Sequence, residues 1–453
     1  MNEPTDPEHP RFIAAAEPLD PASRPTRVRY RVLAFLAAMT FVLYLDRVCI
    51  GQAAPFIKSE LGLSETQKGY VFAVFTLAYA LFEIPTGRWG DRYGSRGVLT
   101  RIVIWWSGFT ALTGAATGFW MLLGVRFLFG AGEAGALPNS ARVLRNWFPD
   151  STRGQAQGLV TTAMLLGGAA APMVSQSLID QIGWRWSFAV FGLLGLAWAG
   201  SFFLWFRDEP ALHPATNDAE RALITRGQAH ADSHAHGPIP WKRVVACANV
   251  WLLGAAMITM TATYYMLFSW YPTYLQEARG ATPEQSARLS SLVLGVGAVG
   301  CLFAGWFTDW LVKTTGDRRW GRTAQSVFGA GLTTVCILGS VFTDGIMGSA
   351  ILVALACLGV QLQVPAWWAS ATQVSGRHLG ALFGMMNMIG ALGGIASQLF
   401  MGRFADFMAG LGYEGRARWD PGFFVYSLVA LIGMLIWIAI DPTRPVDDAP
   451  ASA

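Results

Sequence analysis

Apolar stretches of about 20 residues recur along this chain from near one end to near the other. That recurrence limits what the chain can fold into. An α-helix rises 1.5 Å per residue, so roughly 20 apolar residues cross the hydrocarbon core of a bilayer. We read spans near 31–55, 67–88, 98–117, 119–141, 155–180 and 187–206, then near 247–275, 287–313, 323–342, 346–371, 378–404 and 421–441. The polar stretch 207–242 separates the two sets of six. With 53% hydrophobic and only 14% charged residues, the chain falls well below the roughly 25% charge of soluble domains. These features exclude a soluble enzyme, a disordered chain, a coiled coil and a disulfide-stapled secreted module. The expected fold is an all-α membrane protein of twelve transmembrane helices.

Charge sidedness orients the spans. With both termini on the cytoplasmic side, 23 Lys and Arg fall inside, eight fall outside, and Arg47 and Arg126 lie within spans. That bias follows the positive-inside rule. The resulting organisation is a cytoplasmic tail 1–30, a six-helix unit 31–206, a cytoplasmic linker 207–242, a second six-helix unit 243–441 and a cytoplasmic tail 442–453. The polar, Pro- and Arg-rich segment 1–30 has no signal-peptide pattern. The five cysteines sit in or beside apolar stretches without a CxxC pair, so they read as packing residues. No basic run is interleaved with stacking aromatics, which argues against nucleic acid. The His tract at His230, His234 and His236 reads as a solvated loop, so no metal and no cofactor are expected. We expect a monomer in the cytoplasmic membrane of a bacterium, surrounded by lipid.

Ionisable groups inside spans are costly and mark functional pathways. Span one contains Tyr44-Leu45-Asp46-Arg47, and span four contains Arg126 and Glu133. Neighbours on a helix point about 100° apart, so Asp46 and Arg47 need separate partners. Arg126 and Glu133 are two turns apart on one face, about 10 Å along the axis. Two guanidiniums form a clamp for a carboxylate, because their fork matches it bidentately. The two acids are candidate proton carriers. Two Arg and two ionised acids sum to zero, so an entering carboxylate leaves an excess negative charge that one proton cancels. This points to co-transport of an organic anion with at least one proton, using the proton gradient. With no nucleophile–base pair or metal cluster in a span, the chain is not expected to be an enzyme.

An internal echo supports two halves. Gly87-x-x-x-Asp91 recurs as Gly305-x-x-x-Asp309, 218 residues later, as expected for parallel repeats. The loop Gly87-Arg88-Trp89-Gly90-Asp91-Arg92-Tyr93-Gly94-Ser95-Arg96 combines turn glycines with charges that bridge helix ends. Gly87, Asp91, Arg92, Gly94 and Arg96 are therefore the expected gating residues.

With these motifs in hand, the sequence resembles the major facilitator superfamily, whose signature between spans two and three matches residues 87–96. More narrowly, it is similar to the anion:cation symporter family, which includes galactonate and hexuronate transporters and the vesicular glutamate and sialic acid carriers. The matching stretches are Tyr44 to Arg47 with Pro55, Arg126 to Glu133 through Pro138 to Pro149, Gly183 to Phe188, and Trp270 to Leu275. The resemblance implies the major facilitator fold of two six-helix bundles. It also implies proton coupling by Asp46 and Glu133, and substrate contact by Arg47 and Arg126 with Tyr44, Tyr79, Trp368, Thr372 and Asn387.

Departures from the family pattern narrow the substrate. Span five carries Thr161-Thr162-Ala163-Met164 where sugar-acid carriers have Gln or Ser, and Ala391 replaces a second amide. Glu83 stands where the family has Gln. It reads as support for a gate near Arg88 or Arg92, with a third proton site as the alternative. The pocket then offers fewer hydrogen bonds to sugar hydroxyls, which counts against galactonate itself. The substrate is expected to be a carboxylate of the sugar-acid kind, such as a hexuronate, with a less hydroxylated acid or an aromatic acid as alternatives. An efflux antiporter of the same fold is the nearest rival, since Gly158, Gly167 and Ala171-Pro172 partly match the antiporter signature in span five. A non-transporting membrane sensor is the rival of another class.

Overall fold

The computed structural model describes residues 24–226, 241–376, 379–443 and 445–446. Five helices build the first part: α1 (Val28–Leu61), α2 (Glu65–Tyr93), α3 (Ser95–Gly114), α4 (Phe119–Glu133) and α5 (Ala136–Trp147). The 56-residue α6 (Asp150–Trp205) follows, then the short α7 (Asp218–Arg226) and α8 (Trp241–Ala246). The second part holds α9 (Ala248–Tyr265), a π turn (Met266–Trp270), α10 (Tyr271–Glu277), α11 (Pro283–Thr315), α12 (Arg318–Phe342), α13 (Ile346–Ser375), α14 (Leu379–Gly410) and α15 (Gly415–Ala439). Among the described residues, nine helical stretches are long and apolar enough to cross a membrane. One of these is α6, which makes two passes. The more charged α2 and α3 complete the twelve.

The reversal within α6 is local. Gly183 has φ 77° and ψ 161°, a conformation that glycine reaches without Cβ strain. The Thr40 hydroxyl of α1 donates to the Val160 carbonyl, and the Trp198 indole donates to the Phe35 carbonyl. Residues 160 and 198 therefore lie at neighbouring levels of α1. A straight helix would hold them roughly 57 Å apart. The chain folds back at Gly183, as the spans read from sequence require.

Two spans are interrupted where the sequence reading expected continuous helices. Span four breaks after Glu133, and α5 resumes at Ala136. The Asn139 side chain bridges the gap by donating to the Gly135 and Thr86 carbonyls. Span seven passes through the π turn before α10. Single π turns inside helices cluster at functional positions. Elsewhere the helix starts follow capping chemistry. Thr282 and Gln285 form a reciprocal capping box at α11, and Asp317 accepts from the first N–H groups of α12.

Packing explains how the halves meet. In the first half α6 packs against α1 and α3, and α4 against α2; in the second, α13 packs against α11 and α12, and α14 against α9. Between halves, α2 runs along α14 and α6 along α11. One apolar cluster, around Trp106, Trp147 and Phe202, stays within the first half. Another, around Leu253, Trp367 and Trp437, stays within the second. A third crosses between halves and joins Val48, Ile57 and Phe72 to Trp270, Tyr271 and Tyr274. This shared core lies toward the face opposite the chain termini. Toward the terminal face each half has its own core.

The start of the linker is built into the first half. Glu220 of α7 is fully buried and accepts from the Val28 and Arg29 backbone N–H groups, which open α1. It also pairs with the Arg29 guanidinium at 3.1 Å. Expected spans and linker therefore share a docked inner surface. Glu220→Ala should leave two N–H groups and an Arg unpaired and cost about 1–3 kcal/mol. Thermal unfolding in detergent checks this through a lowered midpoint.

Candidate functional site

Arg47 and Glu133 form the centre of the buried charge cluster. The Arg47 Nε and one terminal nitrogen both donate to Glu133 Oε1, at 2.9 and 2.6 Å. Glu133 is 1% exposed, and its Oε2 has no hydrogen-bond partner among the described residues. The break between α4 and α5 sits directly after this residue. Tyr44, Phe75 and Tyr79 surround the Arg47 guanidinium, with ring centres 5.0, 5.1 and 4.7 Å away. Aromatic faces stabilise a desolvated cation through their quadrupoles.

Arg126 shares the Phe75 ring with Arg47. Its guanidinium is 5.2 Å from the Phe75 centre and 4.3 Å from Phe129. It is 2% exposed and makes no hydrogen bond or ion pair among the described residues. An unpaired buried charge costs several kcal/mol unless a ligand or counter-ion compensates it. A carboxylate is the natural complement of such a group. Asp46 points away from its neighbour Arg47, as the 100° step requires. Its Oδ2 accepts from Thr110 of α3 at 3.5 Å, and its Oδ1 is buried without a partner.

The structure brings together Tyr44, Asp46, Arg47, Tyr79, Arg126 and Glu133 through α1, α2 and α4. The residues expected from the second half fall differently. Asn387 of α14 reaches across to the first half and donates to Glu83 Oε2 of α2 at 3.3 Å. Glu83 thus meets an amide of the other half and, among the described residues, forms no bond to Arg92; the Arg88 side chain lies outside them. Trp368 is 54% exposed and packs on Phe383. The Thr372 hydroxyl is satisfied by the Trp368 carbonyl one turn back. Neither contacts the Arg47–Glu133 pair among the described residues.

The expected gating loop is also placed within one half. Gly94 turns the chain between α2 and α3 with φ 80°. Arg96 donates twice to the Phe203 carbonyl, at 2.9 and 2.6 Å, and so caps the end of α6. Its backbone N–H donates to Asp208. Arg92 lies over the Tyr93 ring at 5.4 Å. The surroundings of Gly87 and the Asp91 side chain lie outside the described residues.

Sequence reasoning missed a second charged cluster, on the face opposite the termini. Glu65 of α2 is fully buried and pairs with Lys68 at 2.7 Å and with Lys58. Lys58 reaches Glu277 of α10 at 2.8 Å, and Arg418 of α15 reaches Glu277 at 3.3 Å. Asp406 of α14 accepts from the Glu65 and Thr66 backbone N–H groups, so one half caps a helix of the other. Gln52 bridges Gln176 and the Pro283 carbonyl. At Gly402 a Cβ would collide with the Glu65 carbonyl oxygen. Together with the shared apolar core, these contacts close the opposite face. Two of the chain's few lysines lie here, and that scarcity was the available signal.

Comparison with known proteins follows this geometry. Residues 36–398 match the family profile described as the Major Facilitator Superfamily. The "Probable sulfoacetate transporter" of Cupriavidus necator is 31% identical over 94% of this chain and 97% of its own length. The "D-galactonate transporter" of Escherichia coli is 29% identical over 92% and 97%. The "Hexuronate transporter" of Bacillus subtilis is 27% identical over 93% and 96%. A crystal structure of a bacterial homologue of the human lysosomal transporter Spinster, inward-facing and occupied, superimposes with a TM-score of 0.76. It covers 95% of this chain and 100% of that one at 20% identity, a likeness of fold.

Closure of the opposite face generates a test. A bulky side chain at Gly402 should separate α2 from α14. In a background without the native cysteines, alkylation of a cysteine placed at Gln52 should accelerate at least tenfold in Gly402→Val. An unchanged rate would contradict the closure.

Proposed function

This chain belongs to the Major Facilitator Superfamily, and from that premise we propose that it carries an organic acid anion together with a proton by alternating access. One observation carries the reading: two buried guanidiniums share the Phe75 ring, one bound to Glu133 and the other unpaired. The relatives named above are organic-anion transporters, and this agrees with the cationic site.

Arg126 supplies the anchor. A substrate carboxylate accepts from its fork and restores local neutrality. Arg47 supplies the switch. Held by Glu133, it is neutralised and turned from the substrate. A proton arriving on Glu133 Oε2 weakens the charge-assisted bond and releases Arg47 to the bound anion. Asp46, behind Arg47 on the α3 side, completes the route with its own unpartnered oxygen. At an effective dielectric near 20, unit charges 4 Å apart interact by about 4 kcal/mol. Anion and proton therefore favour each other's binding, and their joint passage avoids moving an uncompensated charge.

The closed opposite face and the separate cores at the terminal face fit a conformation that releases substrate toward the termini. Charge sidedness and the bacterial relatives support a cytoplasmic membrane with both termini inside, and import as the direction. The relatives' acids fall into two groups. Galactonate and hexuronates bear one anionic group, whereas sulfoacetate bears two.

Proteoliposome uptake tests the reading. A pH gradient, acid outside, should drive uphill uptake of a sugar acid by the wild type. Glu133→Gln should lose that uptake and retain counterflow, which needs no net proton movement. Arg126→Lys keeps the charge but loses the fork, and should weaken substrate binding at least tenfold, about 1.4 kcal/mol. Full gradient-driven uptake by Glu133→Gln would overturn proton coupling, and unchanged affinity in Arg126→Lys would overturn the anchor.

A further inference from the structure

Glu83 is a half-buried carboxylate that the cycle above does not use. It lies on α2 one turn beyond Tyr79, whose ring is 4.7 Å from the Arg47 guanidinium. Its Oε2 accepts from Asn387 of the other half at 3.3 Å, and this is its one hydrogen bond among the described residues. That bond consumes an amide donor otherwise free for a substrate. It also leaves Glu83 Oε1 as a further acceptor. Helix rise places Glu83 roughly 12 Å along α2 from Phe75, where Arg126 packs. A six-carbon acid with a hydrogen bond of about 2.8 Å at each end spans a similar length.

The charges along this path are asymmetric. Arg126 is the unpaired cation among the described residues of the cluster, and Glu83 is an anion at the far end. We propose that Glu83 is a specificity-determining residue that restricts the site to acids with one anionic group. The inference rests on the organic-acid reading above. A monoanion places its carboxylate on Arg126 and donates a terminal hydroxyl to Glu83. A dianion brings its second carboxylate against Glu83, and like charges repel strongly at low dielectric. The released Arg47 goes to the carboxylate held on Arg126, as above, which leaves the second carboxylate facing Glu83. One of the two Asn387 amide N–H groups already faces Glu83, and a single remaining neutral donor does not offset the repulsion between two carboxylates.

The test compares acids that differ at one end. Galactonate and galacturonate are monoanions, and galactarate carries a second carboxylate at the terminal carbon. Competition of unlabelled galactarate against the labelled monoanions is measured on purified protein and as uptake in proteoliposomes, for wild type and Glu83→Gln. The wild type should prefer the monoanions. Glu83→Gln, whose amide oxygen still accepts from the terminal hydroxyl, should gain at least tenfold for galactarate relative to them. Glu83→Asp, which keeps the charge, should keep the wild-type preference. Monoanion binding with an unchanged preference in Glu83→Gln overturns this inference alone. Loss of monoanion binding by folded Glu83→Gln also overturns it, because Glu83 would then be required for binding and not for discrimination. Failure of the wild type to bind or carry any of these acids overturns the proposed function and this inference with it.

Discussion

A guanidinium inside a bilayer must find an anion, and that requirement organises this protein. Arg47 meets it with Glu133, brought from α4 to α1 at 2.6 Å. The pair fixes the relative height of the two helices and sits at the point where span four breaks. Arg126, two turns along the same helix, meets no carboxylate among the described residues. The cluster is therefore balanced at one cation and unbalanced at the other. This inequality makes an anion a natural ligand and Glu133 a natural switch, because the balance changes with each proton or substrate that arrives. Rigid surroundings keep the inequality in place. Phe75 supports both guanidiniums, and Tyr44 and Tyr79 hold the Arg47 plane.

The closed face gives that switch something to act on. Ion pairs from α1 to α10 and from α2 to α15, together with the Asp406 cap of α14 on the start of α2, cross between the halves, so separating them must break these together. Glu65 and Lys68 are almost fully buried there, where removing one partner is costly. The apolar cluster crossing between Phe72 and Trp270 adds contact area to the same seam. At the terminal face the Arg47-bearing half has its own aromatic core, extended by the docked linker. Each half can thus move as a body, with the charge cluster carried almost wholly by the first.

Much of this was legible in the sequence because it depends on composition along the chain. Apolar length identified the spans, Lys and Arg sidedness ordered them, and rare charges inside spans marked Asp46, Arg47, Arg126 and Glu133. Gly183 was legible as a turn between spans five and six. Pairings across distant segments were not. Arg47 has two acids to choose from in its own cluster, and side-chain direction selects Glu133 and leaves Asp46 to Thr110. The opposite-face network joins residues more than 200 positions apart, such as Lys58 to Glu277, and Lys58 alone reads as a loop charge. The break after Glu133 falls beside Gly135 and Pro138, and the π turn ends just before Pro272, but Gly and Pro recur along these spans, so their presence alone did not single out either interruption. Resemblance suggested Trp368 and Thr372 as pocket residues; in the structure Trp368 stands exposed against Phe383, and the Thr372 hydroxyl donates to the Trp368 carbonyl. Glu83 shows the converse: it was visible as an odd residue, and its partner Asn387 became clear from geometry.

The central claim is that substrate binding transfers Glu133 from its bond with Arg47 to a protonated state. Infrared difference spectroscopy of the purified protein, with and without a bound sugar acid near neutral pH, tests it most directly. The account predicts that substrate produces a new protonated-carboxyl C=O band, which shifts in deuterated water and is absent in Glu133→Gln. Substrate binding with no such band, or with an unchanged band in Glu133→Gln, would contradict it.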